Sequence, residues 1–287
     1  MPQEEFTWQS KLVLLAVLPF AGTDLLLDCA VPAPDAMFWA LGLSTLLGAL
    51  AWRLRAVTPA GAAVGAILTA SLMFSTSASP YLPWRTALIP ALAVAVLAFA
   101  ATHVGRRQKE GLGTAERRRG RNAAQIAANL GVAALAASAP IQAWLFDCRW
   151  LAHPTARALL LVPALAALAE AAADTVSSEV GQVMGGRPRL ITTLRMVEPG
   201  QNGAVTLIGS LAGFIAAALV AGCGAWALRG NWTTFAIGGI AAIFGLFFDS
   251  LLGAAIEDRG WLNNDAVNFL STAAAAGFAL ALLTTLH

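Results

Sequence analysis

The chain has 287 residues, of which 58% are hydrophobic and only 12% are charged, and its formal net charge is +2. Soluble domains carry about 25% charged residues, so this composition excludes a soluble globular protein and predicts an integral membrane protein. The mean hydropathy of +0.69 agrees with that prediction. The small net charge gives no reason to expect a nucleic-acid partner, and the expected partner is the lipid bilayer.

Apolar runs of about 20 residues, the length that crosses a bilayer as a helix, recur along the whole chain. We predict about nine such spans, separated by short loops, at 12–31, 36–51, 59–77, 87–104, 122–146, 156–180, 204–228, 232–256 and 266–286. Glu4 and Glu5 make the N-terminus unlike a secretory signal peptide, so we interpret the first run as a retained span. The predicted fold class is all-α, with one polytopic helical bundle over residues 1–287.

The distribution of Lys and Arg predicts the orientation, because cytoplasmic loops carry an excess of basic residues. With the N-terminus in the cytoplasm, only four of the 18 basic residues lie outside: Arg85, Arg149, Arg157 and Arg229. We therefore predict a cytoplasmic N-terminus in a bacterial inner membrane or its equivalent. The cytoplasmic ends of the last five spans then carry polar residues that indicate one shared site: Arg121 with Asn122, Asp174, Gly203, Asp249 and Asp265.

Acidic residues inside the sixth and eighth predicted spans are the first candidates for that site. A carboxylate at bilayer depth costs several kcal/mol unless something pairs with it, so it is a functional candidate. Glu170, Asp174 and Ser178 follow at i, i+4 and i+8 and share a helix face, whereas Glu179 lies about 140° from Asp174. Asp249 is surrounded in sequence by phenylalanines and leucines. We expect Asp174, Asp249 and Glu179 to bind a metal or a phosphate, the alternative for Asp249 being a structural pair with an arginine.

The segment between the sixth and seventh spans combines arginines with a glycine-rich turn. Arg187 and Arg189 come after two glycines, and Gly200, Asn202 and Gly203 belong to a turn that opens the next helix. Arginines, and backbone amides freed by glycine at a helix N-terminus, are suited to hold phosphate. These five residues are candidates for a nucleotide site.

Carboxamides at helical spacing mark the fifth span. Asn122, Gln125 and Asn129 fall at i, i+3 and i+7. They either join helices or line a polar cavity for a nucleotide or phosphate. The preceding Arg121 either helps to hold a phosphate or belongs to a basic loop that sets the topology and touches anionic lipid.

The ninth span repeats this spacing with Asp265, Asn268 and Thr272. Asp265 is either functional or part of a helix start that Asn263 or Asn264 caps. Asn268 lies one turn further in, where capping does not explain it. We therefore include both Asp265 and Asn268 among the candidate site residues.

Several well-known catalytic motifs are absent from the sequence, namely the P-loop, HExxH, CxxC and the nucleophile elbow. His103, His153 and His287 are far from the acidic residues in sequence, which argues against acyl transfer through a Ser and His pair. Phosphoryl transfer chiefly needs a metal, positive charge and positioning. The candidate residues supply these three requirements.

Five ordered motifs carry a resemblance to a known family. They are ADTVSSEVG at 173–181, RPRLITT at 187–193, PGQNGAVTLIG at 199–209, FFDSLLGA at 247–254 and NDAVNFLST at 264–272. In these motifs the chain resembles the integral-membrane phytyl phosphate kinases of the vitamin E pathway, a family that also contains the animal transmembrane protein 19. The resemblance covers roughly 58–286 and leaves 1–57 as N-terminal spans. The CTP-using dolichol and phytol kinases are more distantly similar.

The resemblance implies transfer of a phosphoryl group from a nucleoside triphosphate, by analogy CTP, to an isoprenyl monophosphate. It would place Asp174, Glu179, Arg187, Asn202 and Gly203 in the nucleotide and metal site, with Asp249 and Asn268 close by. In the mechanism that we expect from it, Mg²⁺ is bound by Asp174 and Asp249. Arg187, Arg189 and the glycine-rich turn then neutralise the phosphates of CTP. The oligomeric state stays open.

Three alternatives remain at this stage. A prenol kinase or a cytidylyltransferase would share the nucleotide and the metal but form a different bond. A transporter or flippase of lipid phosphates should have polar helix faces that extend to the outer side, where few acids occur. The third alternative is a catalytically idle family member that only binds lipid.

Overall fold

A computed structural model describes residues 6–30, 34–113, 120–147 and 157–286, and almost all of its regular structure is helical. The α-helices are α1 (Trp8–Ala30), α2 (Pro34–Arg53), α3 (Pro59–Ser75), α4 (Leu88–His103), α5 (Arg106–Leu112), α6 (Ala123–Ala137), α7 (Ala139–Asp147), α8 (Arg157–Leu160), α9 (Val162–Met184), α10 (Leu207–Ala227), α11 (Trp232–Leu252) and α12 (Asn264–Leu286). A π-helical turn, Gly253–Glu257, continues α11, and a 3₁₀ turn, Pro83–Arg85, precedes α4. Two short strands, β1 (Arg189–Leu190) and β2 (Ala204–Val205), pair antiparallel.

The predicted helical membrane architecture is confirmed in its main feature, because the described chain is mostly helical and carries several candidate spans. Within the described ranges, α1, α2, α10, α11 with its continuation, and α12 are long and apolar enough to cross a membrane. The pair α6 and α7 is a sixth candidate, although a bend of 50° separates the two helices. The apolar α3 and α4 are shorter, and α9 has 23 residues but carries Glu170, Asp174 and Glu179. Five or six spans are therefore evident, against the nine predicted.

Local chemistry explains where the helices depart from the predicted runs. The span predicted at 122–146 is divided into α6 and α7 at Ser138. The extended backbone of Ser138, with ψ 148°, ends α6. The run at 204–228 starts later than predicted, because Ala204–Val205 pairs with β1 and Thr206 caps α10 through the Gly209 N–H. Several predictions concern positions outside the described residues: Glu4, Glu5, Val31, Arg149, His153, Ala156 and His287.

Helix α9 lies at the centre of the bundle and contacts α4, α6, α10, α11 and α12. Every residue from Val162 to Ala173 is buried, and most are alanines and leucines. A helix that is apolar all round is suited to such a position, because it has no polar face to leave uncovered. Glu170 lies within this segment, and Asp174 and Glu179 follow it, so the acidic residues of α9 enter the bundle on its most enclosed helix.

Glycines bring α9 and α10 close together. A Cβ on Gly209 would lie 2.7 Å from the carbonyl oxygen of Ser177, and one on Gly213 would lie 2.9 Å from that of Ala173. Small residues at four-residue spacing allow two backbones to approach in lipid, where apolar side chains gain little from leaving the solvent. This contact holds the second half of α9 against the start of α10.

The start of α6 is fixed to the connection between α2 and α3. The Arg121 N–H donates to Ala56 O at 2.9 Å, and the Thr58 N–H donates to Arg121 O at 2.9 Å. Gly120 has φ +76°, and a Cβ there would lie 2.5 Å from Ala56 O. This close approach requires glycine and sets the position of Arg121.

We expect Gly209→Ala to lower the free energy of unfolding by about 1–3 kcal/mol, because its methyl group would overlap α9. Gly222→Ala on the same helix is the control, since a Cβ there would meet only the Phe235 ring at 3.8 Å. Thermal unfolding in detergent measures both. Equal unfolding temperatures for the two variants would contradict the close contact of α9 with α10.

Candidate functional site

Acidic side chains of α9 and α11 face each other inside the bundle. Asp249 on α11 lies beside Asp174 on α9, and Glu170, one turn earlier on α9, is within electrostatic reach of both. Gly245 makes room for this arrangement, because a Cβ there would lie 2.6 Å from the Glu170 Cγ. Three carboxylates in a low-dielectric interior repel one another unless a cation or protons compensate their charge.

The protein's own groups compensate these acids only in part, and Ser271 is in hydrogen-bonding reach of both Glu170 and Asp249. The Ser178 hydroxyl donates to Asp174 Oδ1 at 3.5 Å, and Arg121 interacts electrostatically with Asp174. Within the described part of the chain, Glu170 Oε1 and Asp249 Oδ2 are buried without a hydrogen-bond partner. Buried polar atoms normally have partners, so these oxygens indicate a ligand, an ion or a proton that the chain itself does not supply.

A cavity of about 190 Å³ lies next to Asp174 and Asp249. Its lining is mostly polar and comes from α9, the connection between α9 and α10, the end of α11, and the start of α12. The residues are Asp174, Ser177, Ser178, Gly181, Gln182, Pro188, Pro199, Gly200, Gln201, Asn202, Gly203, Ala204, Val205, Thr206, Leu246, Asp249, Ser250, Gly253, Glu257 and Asn264. We call this the acidic cavity.

The glycine-rich turn forms one wall of the acidic cavity. Gly203 has φ +72°, and a Cβ there would lie 2.5 Å from Ser250 O. A Cβ on Gly253 would in turn lie 2.8 Å from the Gly203 N. The turn therefore packs directly on the end of α11, and its backbone lines the same space as the carboxylates.

The donor set of the acidic cavity fits Mg²⁺ bound together with phosphate. Asp174, Asp249 and Glu257 provide oxygen atoms, and Gln182 Oε1 is buried without a partner among the described residues. No three His, Cys, Asp or Glu side chains of the described ranges are close enough to hold a metal by themselves. Mg²⁺ usually takes only one or two carboxylates and fills its other positions with water and substrate phosphates.

Glu179, which is predicted with Asp174 and Asp249 to bind a metal or a phosphate, does not line the acidic cavity. The buried Lys109 of α5 donates to Glu179 Oε2, and the Thr102 hydroxyl donates to Oε1 at 3.3 Å. The reason is geometric: α9 is continuous through both acids, and five residues turn the second one to another face. Glu179 is thus compensated by an ion pair.

The carboxamides of α6 have structural partners. Asn122 and Gln125 form a capping box at the start of the helix, each side chain bonding the backbone N–H of the other. Asn129 accepts a hydrogen bond from the Asn268 amide at 3.3 Å, which joins α6 to α12. Asn129 therefore joins two helices, which is the first of the two interpretations from sequence. The four carboxamides Asn122, Gln125, Asn129 and Asn268 do not line the acidic cavity.

Asp265 and the loop arginines also lie apart from the acidic cavity. Asp265 accepts a hydrogen bond from Ser10 of α1 at 2.6 Å, while Asn263 caps α12 through the Ala266 N–H. Arg187 and Arg189 are exposed, and Arg189 donates to Leu194 O of its own loop at 2.8 Å. The arginine that interacts with Asp174 is Arg121.

Sequence reasoning missed Gln182, Ser250 and Glu257. The spacing of Glu170, Asp174 and Ser178 continues to Gln182 at the next i+4 position, so periodicity alone would have found it. Glu257 is two turns beyond Asp249, a position at which the sequence alone indicates no more than a solvated helix end. Glu257 ends the π-helical turn, Gly253–Glu257, and lines the acidic cavity. No pattern in the sequence predicts that turn.

We expect Lys109→Met to lower the free energy of unfolding by about 3–5 kcal/mol, because it leaves the largely buried Glu179 carboxylate without its cationic partner. The double variant Lys109→Met with Glu179→Leu should recover most of that loss, since apolar replacement of a buried pair is close to neutral. Arg106→Met is the control, because its ion pair with Glu110 is solvent-exposed and worth about 0–1 kcal/mol. A double variant no more stable than Lys109→Met would contradict the pairing.

Several known proteins are similar in sequence to this chain. An uncharacterized membrane protein of Methanocaldococcus jannaschii is 41% identical over 112 residues, which cover 39% of this chain and 47% of that protein. An uncharacterized membrane protein of Synechocystis sp. is 29% identical over 289 residues, 98% of this chain and 93% of the relative. Protein VTE6, chloroplastic, of Arabidopsis thaliana is 31% identical over 179 residues, 61% of this chain and 52% of that protein. The matches thus span about half the length of the first and third relatives.

No solved structure matches the chain. Residues 42–276 match the family described as integral membrane protein DUF92, and all five sequence motifs lie within this range. The family membership that the motifs indicate is confirmed. Because the match covers most of the chain, the protein belongs to the DUF92 family of integral membrane proteins.

Proposed function

We propose that this protein is a membrane-embedded kinase of the phytyl phosphate kinase type. It transfers the γ-phosphoryl group of a nucleoside triphosphate, with CTP favoured, to an isoprenyl monophosphate and gives the diphosphate. The observation that carries the proposal is the acidic cavity, where Asp174, Asp249 and the glycine-rich turn meet within reach of Arg121. The similarity to Protein VTE6 over 61% of the chain and the five motifs support the same class of reaction.

The residues of the acidic cavity have distinct roles in this proposal. Asp174 and Asp249 would hold Mg²⁺ together with the phosphates of the nucleotide, and Glu257, which lines the same cavity, is a further candidate ligand. The metal would neutralise part of the negative charge of the phosphates. The backbone of Gly200, Asn202 and Gly203 lines the phosphate side of the cavity, and Arg121 stabilises negative charge from the α6 side.

The reaction needs little covalent chemistry from the protein. An oxygen of the acceptor phosphate bonds to the γ-phosphorus, and the bond from that phosphorus to the bridging oxygen breaks. The products are the prenyl diphosphate and the nucleoside diphosphate. The second pKa of a phosphate monoester is about 6, so the acceptor is largely ionised at neutral pH and needs no general base. An alcohol acceptor would need one.

The proposal places the acidic cavity at the cytoplasmic side. Counting α3, α4 and α9 together with the six candidate spans gives nine membrane helices, which agrees with a cytoplasmic N-terminus and an external C-terminus. A CTP site must face the cytoplasm, where the nucleotide is present. The basic residues concentrated near α5 and α6 support this orientation.

We expect the purified protein to convert phytyl or geranylgeranyl monophosphate to the diphosphate with magnesium and CTP, and to do so less well with ATP, GTP or UTP. Asp174→Asn and Asp249→Asn should each lower the rate at least about 100-fold, because the metal supplies several kcal/mol of charge stabilisation. Asp258→Asn is the matched control, since Asp258 is an exposed acid next to Glu257 that does not line the cavity. Mass analysis of the products with labelled CTP measures the transfer.

The chemical identity of the product also distinguishes the proposed kinase from the other CTP-using enzymes. A diphosphate with release of CDP supports the proposal, whereas a cytidylyl-linked lipid or a monophosphate made from the alcohol identifies one of the other CTP-using enzymes. No product with any nucleotide and any prenyl monophosphate would contradict the proposed function.

We expect the two ends of α4 to lie on opposite sides of the membrane. After replacement of the native cysteines, Trp84→Cys should react with a membrane-impermeant maleimide in intact cells. Arg107→Cys should react only after permeabilisation, since both positions are exposed in the structure. The reverse pattern would overturn the proposed orientation.

A further inference from the structure

A second and larger cavity, of about 680 Å³, opens on the side of the bundle between α2, α3, α4 and α6. Its wall is mainly apolar and includes Leu47, Leu54, Leu92, Val96 and Leu130. Leu54, Leu92 and Val96 are exposed on the outer surface of the chain. In a membrane these surfaces face lipid, so an apolar chain can enter this lateral cavity from the side.

The charged residues of the lateral cavity follow the ends of α2 and α4 or precede the start of α6, and we call this part its basic end. Arg55, His103, Arg106, Glu110 and Arg121 line it there. Arg106 pairs with Glu110 at 3.3 Å, whereas the Arg55 guanidinium has no hydrogen bond or ion pair with any described residue. Three arginines against one glutamate leave this end cationic. Its charge complements a small anion at the end of an apolar chain.

Arg121 connects the lateral cavity with the acidic cavity. It lines the lateral cavity and interacts electrostatically with Asp174 on the other side. Its position is fixed by two backbone hydrogen bonds to the connection between α2 and α3. An anion bound at this end is therefore next to the residues proposed to hold the nucleotide.

From this geometry we infer that the lateral cavity is the binding site of the isoprenyl monophosphate: the prenyl chain lies among α2, α3, α4 and α6, and the phosphate binds Arg55, Arg106 and Arg121. The identity of the ligand rests on the proposed function. The volume is within the range of about 300–1,000 Å³ typical of small-molecule sites. Arginine forms bidentate contacts with phosphate that a lysine does not reproduce.

The test measures equilibrium binding of labelled geranylgeranyl monophosphate to the full-length purified protein in detergent, without nucleotide or magnesium. Ala95→Phe should weaken binding at least about tenfold, because Ala95 lines the cavity and the added ring occupies the chain's space. Arg55→Gln with Arg106→Gln should also weaken it at least about tenfold through loss of charge-assisted hydrogen bonds. Ala100→Phe and the pair Arg53→Gln with Arg107→Gln are matched controls, since these exposed residues do not line the cavity.

Competition identifies the ligand chemistry. Unlabelled geranylgeranyl monophosphate should displace the label, while geranylgeraniol, inorganic phosphate and phosphatidic acid should do so much less. Wild-type binding by both Ala95→Phe and the Arg55 and Arg106 variant, or equal competition by phosphatidic acid, would overturn the inference. Because binding is measured without nucleotide, it is separable from the proposed function: tight, cavity-dependent binding without phosphoryl transfer would contradict only the kinase activity.

Discussion

The structure depends on one electrostatic constraint, the presence of Glu170, Asp174 and Asp249 next to one another inside a helical membrane bundle. Their mutual repulsion and the cost of removing each charge from water both oppose this arrangement. Apolar packing alone would favour leucine at these positions. Three neighbouring features accommodate these acids. Gly245 on α11 makes room for Glu170, the Ser178 hydroxyl donates to Asp174, and the Arg121 guanidinium interacts electrostatically with Asp174.

Helix α9 separates two different environments. One face carries Asp174, Ser178 and Gln182 toward the acidic cavity. Another carries Glu179 toward Lys109 and Thr102, and Thr102 lines the lateral cavity. The acidic cavity thus borders α9 directly, whereas the lateral cavity lies beyond the α4 residue that Glu179 contacts. This is the arrangement that an enzyme needs when one substrate comes from water and the other from lipid.

Periodicity identified part of the candidate site but could not identify partners. The i+4 spacing of Asp174 and Ser178 corresponds to a real shared face on the acidic cavity. The similar spacing of Asn122, Gln125 and Asn129 does not, because the first two form a capping box at the helix start. A capping residue and a cavity residue look alike in sequence, since both are polar groups at the end of an apolar run. Only their contacts distinguish them.

The sequence by itself determined the membrane class, the helical architecture, the family, and the prominence of Asp174 and Asp249, because hydropathy, helical period and motif order are properties of local segments. Tertiary structure decided which partner each polar side chain finds: Glu179 forms an ion pair with Lys109, while Asp265 and Asn129 accept hydrogen bonds from Ser10 and Asn268. It also decided that Arg121 lines the lateral cavity and at the same time interacts electrostatically with Asp174 of the acidic cavity. These facts depend on how each helix is rotated and how closely it packs against segments remote in the chain. Rotation and packing are set by the whole bundle, and no local pattern encodes them.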